Sequence, residues 1–315
     1  MLIRGLAALA LAMSGPSGPS GFTLQDPAIV EASALVVLGG GLFATTNDSG
    51  DTGRVFVVDR AGRTVGVTHW EQSPRDVEAL APATTAGQVW VGDIGDNSAS
   101  REHIQVARIP VGRGERTVTP TVYTLVYPDG AHDAETLLCD PATGRLYVAT
   151  KGWLGGTLYA APAHLVAGHD NRLKPIARVM PMATDGTFLP GGRVVLVRGY
   201  FSATTYAWPS MDKVAAFPLP RQPQGEGVGV ARDGTVWLSS EGVRSQVIPF
   251  RLPANALPPG PDSTAGSTPT PATDDAEPRV GAPSPTDGTG QSWWPWALGG
   301  VAGAGIVLAL LRRRR

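Results

Sequence analysis

Five times between Glu31 and Phe250 the chain repeats one arrangement: an acidic or polar head on an apolar run, a turn with glycine, a second apolar run, a polar loop and a third run. The first copy covers residues 31–37, 42–46 and 54–59, and the second covers 76–81, 88–92 and 104–109. The third covers 133–139, 145–150 and 157–161, the fourth 185–189, 193–197 and 204–208, the fifth 226–231, 235–239 and 245–250. A fourth run follows four of the copies, at 65–70, 122–127, 175–180 and 214–219. Short apolar runs bounded by turn residues are strands, and four-stranded units repeated every ~41 to 57 residues are propeller blades. The fifth copy lacks its fourth strand, and the spare apolar segment 22–25 can supply it, pairing the two ends of the domain and closing the ring. A β-sandwich is the structural alternative, but nothing in a sandwich demands five equivalent heads.

Composition agrees with an all-β chain. Forty glycines, 28 prolines and only 17% charged residues are the profile of many short strands joined by turns. A net charge of -1 sets up no global field for nucleic acid or an anionic surface, so nucleic acid is excluded as a partner and recognition has to be local. The single cysteine, Cys139, lies in an apolar run and reads as a small buried hydrophobe, with no disulfide possible within one chain.

The two ends read as targeting segments. Arg4, an apolar run from Gly5 to Met13 and a Ser/Gly/Pro stretch have the order of an export signal, placed at residues 1–20. After the propeller, placed at 22–252, residues 253–292 are mostly Pro, Gly, Ser, Thr, Ala and Asp, which cannot bury a core and predict a disordered stalk. Residues 293–311 carry no charge and reach roughly 28 Å as a helix, the span of a bilayer core. Trp293, Trp294 and Trp296 suit an interface, and Arg312 to Arg315 should remain cytoplasmic. The expectation is therefore an all-β, five-bladed β-propeller on the extracytoplasmic side of the cell membrane, followed by a disordered stalk and one C-terminal transmembrane helix, which makes the membrane one partner.

Superposing the copies on their first strands gives two polar columns two residues apart, hence on one face of each strand. One column holds Glu31, Asp76, Asp133 and Gln224, with Ala183 as the exception; the other holds Ser33, Glu78, Glu135, Asp185 and Glu226. First strands line a propeller's channel, so the second column should ring the axis. Like charges crowded in low dielectric raise one another's pKa or demand a cation. Oxygen ligands without thiolate or imidazole favour Ca²⁺, then Mg²⁺ or Mn²⁺. The competing reading is that protons and backbone amides hold these acids.

The ends of the second strands supply a further set: Asn47 and Asp48, Asp93, Lys151, Arg198 and Glu241. Lys151 and Arg198 would border the ring and could bind phosphate or carboxylate, or simply neutralise the acids. Glu31, Asp48, Asp76, Asp93, Asp133 and Glu241 form a second acidic tier. The stretch 47–53 is Asp-rich but lacks the spacing of an EF-hand and reads as a turn. His132 reads as a loop histidine, since no nucleophile arrangement accompanies it.

Glu31-Ala32-Ser33-Ala34-Leu35 with Asn47-Asp48 and Gly53-Arg54-Val55-Phe56, then Val77-Glu78-Ala79-Leu80 with Val91 to Gly95, resemble secreted actinobacterial propellers of the phytase-like esterase kind and, more distantly, the calcium-activated nucleotidases. The nucleotidase resemblance implies an axial calcium held by alternating Ser and Glu. Ser33, Glu78, Glu135 and Glu226 match that pattern, while Asp185 stands where a serine would be expected. The nucleotidase Asp-Asp-Arg-Thr-Gly loop is here Asn47 to Gly53 without its arginine, so the ion carries over better than nucleotide hydrolysis.

Two functions compete: a metal-stiffened surface binding module for an unidentified envelope component or protein, and a metal-dependent hydrolase of phosphate or carboxylate esters in which Lys151 or Arg198 stabilises developing charge. On the topology read above, truncation after Gln291 releases a folded domain into the medium; retention of the truncated chain by membranes in a fractionation would overturn that topology.

Overall fold

Five sheets stand round one axis, each with its strands ordered from the axis outward. The computed structural model describes residues 19–258 apart from Ser49. Nearly all of the expected export signal, the stalk beyond 258, the span 293–311 and the arginine tail lie outside the described residues. Among the described residues no helix is long and apolar enough to cross a membrane.

The chain opens with β1 (Phe22–Thr23) and builds blade 1 from β2 (Val36–Gly39), β3 (Leu42–Thr45), β4 (Arg54–Asp59) and β5 (Thr64–Trp70). Blade 2 contains β6 (Val77–Pro82), β7 (Gln88–Asp93), β8 (Ile104–Pro110) and, after β9 (Gly114–Val118), β10 (Val122–Val126). Blade 3 contains β11 (Ala134–Cys139), β12 (Leu146–Thr150), β13 (Gly156–Ala160) and, after β14 (Asp170–Arg172), β15 (Lys174–Val179). Blade 4 is β16 (Asp185–Phe188), β17 (Val194–Arg198), β18 (Ser202–Ala207) and β19 (Lys213–Pro218); blade 5 is β20 (Gly225–Val230), β21 (Val236–Ser240) and β22 (Gln246–Phe250).

The ring closes as the pattern predicts. β1 pairs antiparallel with β22, Phe22 opposite Val247 and Thr23 opposite Gln246, so the first residues complete the last blade. Two strands were not anticipated: β9 pairs in parallel with β5 and β14 in parallel with β10, each lent to the preceding blade's outer edge by the chain of the next. Both cover backbone groups that an edge strand would leave open. Beyond β22 the chain makes a short 3-10 turn, Ala254–Ala256, whose Ala256 is buried against blade 4, so ordered structure continues past the boundary at 252 suggested by composition.

The core is five wedges, one between each pair of neighbouring blades. Middle strands are therefore covered on both faces and read as continuous apolar runs, as in β12 and β17. Toward the axis the wedges narrow and side chains shrink. A Cβ on Gly227 of β20 would lie 2.8 Å from Ala34 and from Leu35 of blade 1, which is why this stretch of alternating glycines is an inner strand.

At the closing seam Phe22 packs 5.0 Å from Phe43 and 6.0 Å from Trp237, ring centroid to centroid. Phe22→Ala should cost about 2 kcal/mol, less than for a fully buried Phe because Phe22 is half-buried. Urea unfolding measures the loss, and hydrogen exchange should report it first in β22.

Candidate functional site

First strands begin, and second strands end, on the same face of the ring, and that face carries a cavity of about 200 Å³ at the axis. Ser33, Asp48, Glu78, Asn97, Glu135, Lys151, Tyr200, Gln224, Glu226 and Glu241 line it. Backbone irregularity aims the glutamates. The pairing of β6 with β7 shifts between Val77 and Ala79, that of β11 with β12 between Ala134 and Thr136, and that of β20 with β21 between Gly225 and Val228. The extra residues are thus Glu78, Glu135, and Glu226 with Gly227; such bulges re-aim side chains.

Blade 4 has no such shift, and Asp185 is placed differently from the other four expected ligands. Asp185 pairs in regular register with Arg198, is fully buried, and does not line the cavity. Its carboxylate instead accepts from the backbone amides of Gly186 and Val228, each at 2.7 Å, and Leu35 at 3.4 Å, tying blades 4, 5 and 1 together. Arg198 is likewise enclosed: its guanidinium donates to the carbonyls of Gly199, Gly227 and Ser239 at 3.0–3.2 Å and to Gln222. It clamps blades 4 and 5 together and does not line the cavity.

Of the remaining proposed ligands, Ser33 donates its hydroxyl to the Val77 carbonyl at 3.2 Å, Glu135 is ion-paired with Lys151, and Glu226 accepts from Gln224 at 3.3 Å. The tightest acidic group crosses the two expected tiers: carboxylate oxygens of Asp48, Asp76 and Glu78 all lie within 4.8 Å of one another. Asp76 is buried, and its Oδ1 has no hydrogen-bond partner among the described residues. Gly95 makes room for the group, since a Cβ there would collide with the Asp76 carboxylate and the Glu78 side chain. This trio is where a metal could be held.

The rest of the second tier does not converge. Asp93 is neutralised by Arg101 at 2.7 Å and accepts from the amides of Arg75 and Asp76. Asp133 accepts from the Asp96 amide at 2.9 Å, and Glu31 is exposed outside the cavity, while Glu241 lines it. In the 47–53 turn both oxygens of Asp51 are held by Arg54 at 2.8 Å. His132 bonds Asp129 and the Tyr159 hydroxyl away from the cavity lining, and Cys139 is buried in the wedge between blades 2 and 3. Sequence reasoning missed Tyr200, whose ring lies 5.2 Å from the Lys151 ammonium, and Arg101. The position of Tyr200 two residues past β17 was the available signal.

Burial dominates the electrostatics. It pushes Glu226 up to about 9, helped by Glu135, and Glu241 up to about 7, helped by Asp48 and Glu31. Burial with Asp48, Asp133 and Asp93 raises Asp76 to about 6, and burial with Glu135, Asp48 and Asp76 puts Glu78 well above its ordinary range. For Glu135 burial outweighs Lys151, giving about 7; for Lys151 burial works downward, but Glu135 outweighs it and keeps the ammonium charged.

No family model matches the chain, and no curated protein matches it. Two solved structures described as glucose dehydrogenase are similar to it in fold, each over 75% of this chain and 100% of the other, with TM-scores of 0.47 and identities of 11% and 10%.

A glutamate whose folded pKa lies above its unfolded one stabilises the fold fully below the unfolded value and loses that contribution as pH rises through the folded value. For Glu226 this window runs from 4.5 to about 9. In chelator the melting temperature should fall steadily across it, and Glu226→Gln should flatten the decline, as followed by calorimetry at stepped pH.

Proposed function

We propose that the chain is a surface binding module whose axial cavity takes a divalent cation, Ca²⁺ foremost with Mg²⁺ or Mn²⁺ next, held first by Asp48, Asp76 and Glu78. The observation that carries this is the trio itself. Ligands on opposite sides of a Ca²⁺ ion at 2.3–2.6 Å stand about 4.6–5.2 Å apart, so carboxylate oxygens within 4.8 Å suit one shared ion. The lining holds five carboxylates against the lysine Lys151, which is committed to Glu135. A cation would relieve the crowding and release protons from carboxylates whose pKa burial has raised.

The export-like order of residues 1–20, the composition of 253–292 and the uncharged run 293–311 ahead of four arginines support a location on the extracytoplasmic side of the cell membrane. β22 runs away from the cavity face, so the chain leaves the propeller on the opposite side, as suits a module that presents its mouth to partners. Hydrolysis of phosphate or carboxylate esters, in the manner of the phytase-like esterases or nucleotidases, stands second. It calls for a cation available to the reacting group, and Lys151 is paired while Arg198 is enclosed.

Chelation should lower the melting temperature of the purified full chain and Ca²⁺ restore it, by about 2.7 kcal/mol at a hundredfold excess over Kd. Asp76→Asn and Glu78→Gln should each weaken calorimetric Ca²⁺ affinity at least tenfold, about 1.4 kcal/mol. Asp185→Asn should lower stability and leave the affinity unchanged. Identical melting in chelator and in Ca²⁺ would overturn the metal site.

A further inference from the structure

The loops leaving the second strands differ in chemistry round the ring. Over blades 1 and 2 they are polar, carrying Asp48, Asp51, Asp96 and Asn97. Over blades 3, 4 and 5 each sets a large apolar side chain in water within three residues of a cavity-lining one. Trp153 (73% exposed) and Leu154 (94%) follow Lys151, Phe201 (70%) follows Tyr200, and Val243 (58%) follows Glu241. These are the four most exposed large apolar side chains among the described residues.

The crescent is built rather than loose. Trp153 and Leu154 form the corner of a tight turn closed by the Gly155 amide on the Gly152 carbonyl (3.2 Å), braced by the Met182 amide on Gly152 (3.0 Å) and by Arg178 on Gly155 (3.0 Å). Phe201 leans on Tyr200 at 6.2 Å, and Tyr200 forms the cavity wall beside Lys151. Apolar surface held in place round a polar pocket marks an interaction site, because it costs little ordering entropy on binding.

We infer that the crescent and the acidic mouth form one docking surface for a peptide or protein segment that presents a lysine or arginine flanked by large apolar residues. Charge complementarity selects this occupant. The mouth offers Glu226 and Glu241 on the blade 5 side, beside Val243, in a lining of five carboxylates against Lys151, and the inference does not require an ion at the Asp48, Asp76 and Glu78 trio. A guanidinium or ammonium entering there meets the side chains of Glu226 and Glu241 and displaces the protons that burial favours on them, while its apolar neighbours lie on Trp153, Leu154 and Phe201. An anionic lipid headgroup brings these acids no cation, and Leu154 and Val243 extend the crescent beyond the two rings on which a sugar could stack.

A randomised heptapeptide library panned on the purified full chain tests this, in chelator and in Ca²⁺. Enrichment of peptides with Lys or Arg between aromatic or aliphatic residues is expected. Affinity of the enriched peptides should fall at least tenfold for Trp153→Ser/Leu154→Ser and for Phe201→Ser, and should weaken with salt. These side chains are exposed, so melting temperature and Ca²⁺ affinity should match the parent, which separates failure here from failure of the metal reading. No enrichment, enrichment of acidic or neutral peptides, or collar variants that bind as tightly as the parent would overturn it. So would binding of anionic vesicles or of a glycan panel in place of basic peptides.

Discussion

Five inner strands converge on one axis, where the backbone of one blade closely approaches the backbone of the next. Gly227 against Ala34 and Leu35 is one such close seam, and Asp185, bonded to amides of three blades, ties blades 4, 5 and 1. The wedges between blades widen outward and fill with Val, Leu and aromatic residues, so stability is spread over five seams rather than concentrated in one core. A ring of this kind holds only if its last seam is sealed, which gives a two-residue strand, β1, and the Phe22, Phe43 and Trp237 contacts a weight beyond their size.

The same convergence produces the electrostatics. Carboxylates at the head of each inner strand are brought together because the strands are, and they lose water as they come. The protein answers in three ways: amides bond Asp185, cations take Glu135 and Asp93, and protons or a bound cation satisfy Glu78, Glu226 and Asp76. The last group stands with Asp48 and Glu241 at or beside the cavity, on the blade 1, blade 2 and blade 5 sides.

Much of this was legible in the chain. Apolar runs at blade spacing, the missing fourth strand of the last copy and the spare segment at its start sufficed for blade number and closure, since strand formation and turns are local. β9 and β14 were not, because their pairing is with strands of another repeat and their own sequences are short and polar. The convergence of Ser33, Glu78, Glu135 and Glu226 followed from their shared place in the repeat. Asp185 occupies the same place yet turns elsewhere, since blade 4 lacks the bulge that frees the other carboxylates from their strands.

Sequence by itself determined the repeat, its strands and the inventory of acids near the axis, because periodicity and turn chemistry act within a few residues. Tertiary structure decided which acids share a cavity, which are consumed by Lys151, Arg101 or backbone amides, and that Trp153, Leu154, Phe201 and Val243 are exposed on loops that also supply cavity-lining residues. The physical reason is that bulges and buried ion pairs depend on how neighbouring strands and their loops meet once a blade has folded. A bulge slips one strand against its neighbour, and an ion pair joins a first-strand acid to the loop beyond the next strand. Neither leaves a mark that spacing along one chain can reveal.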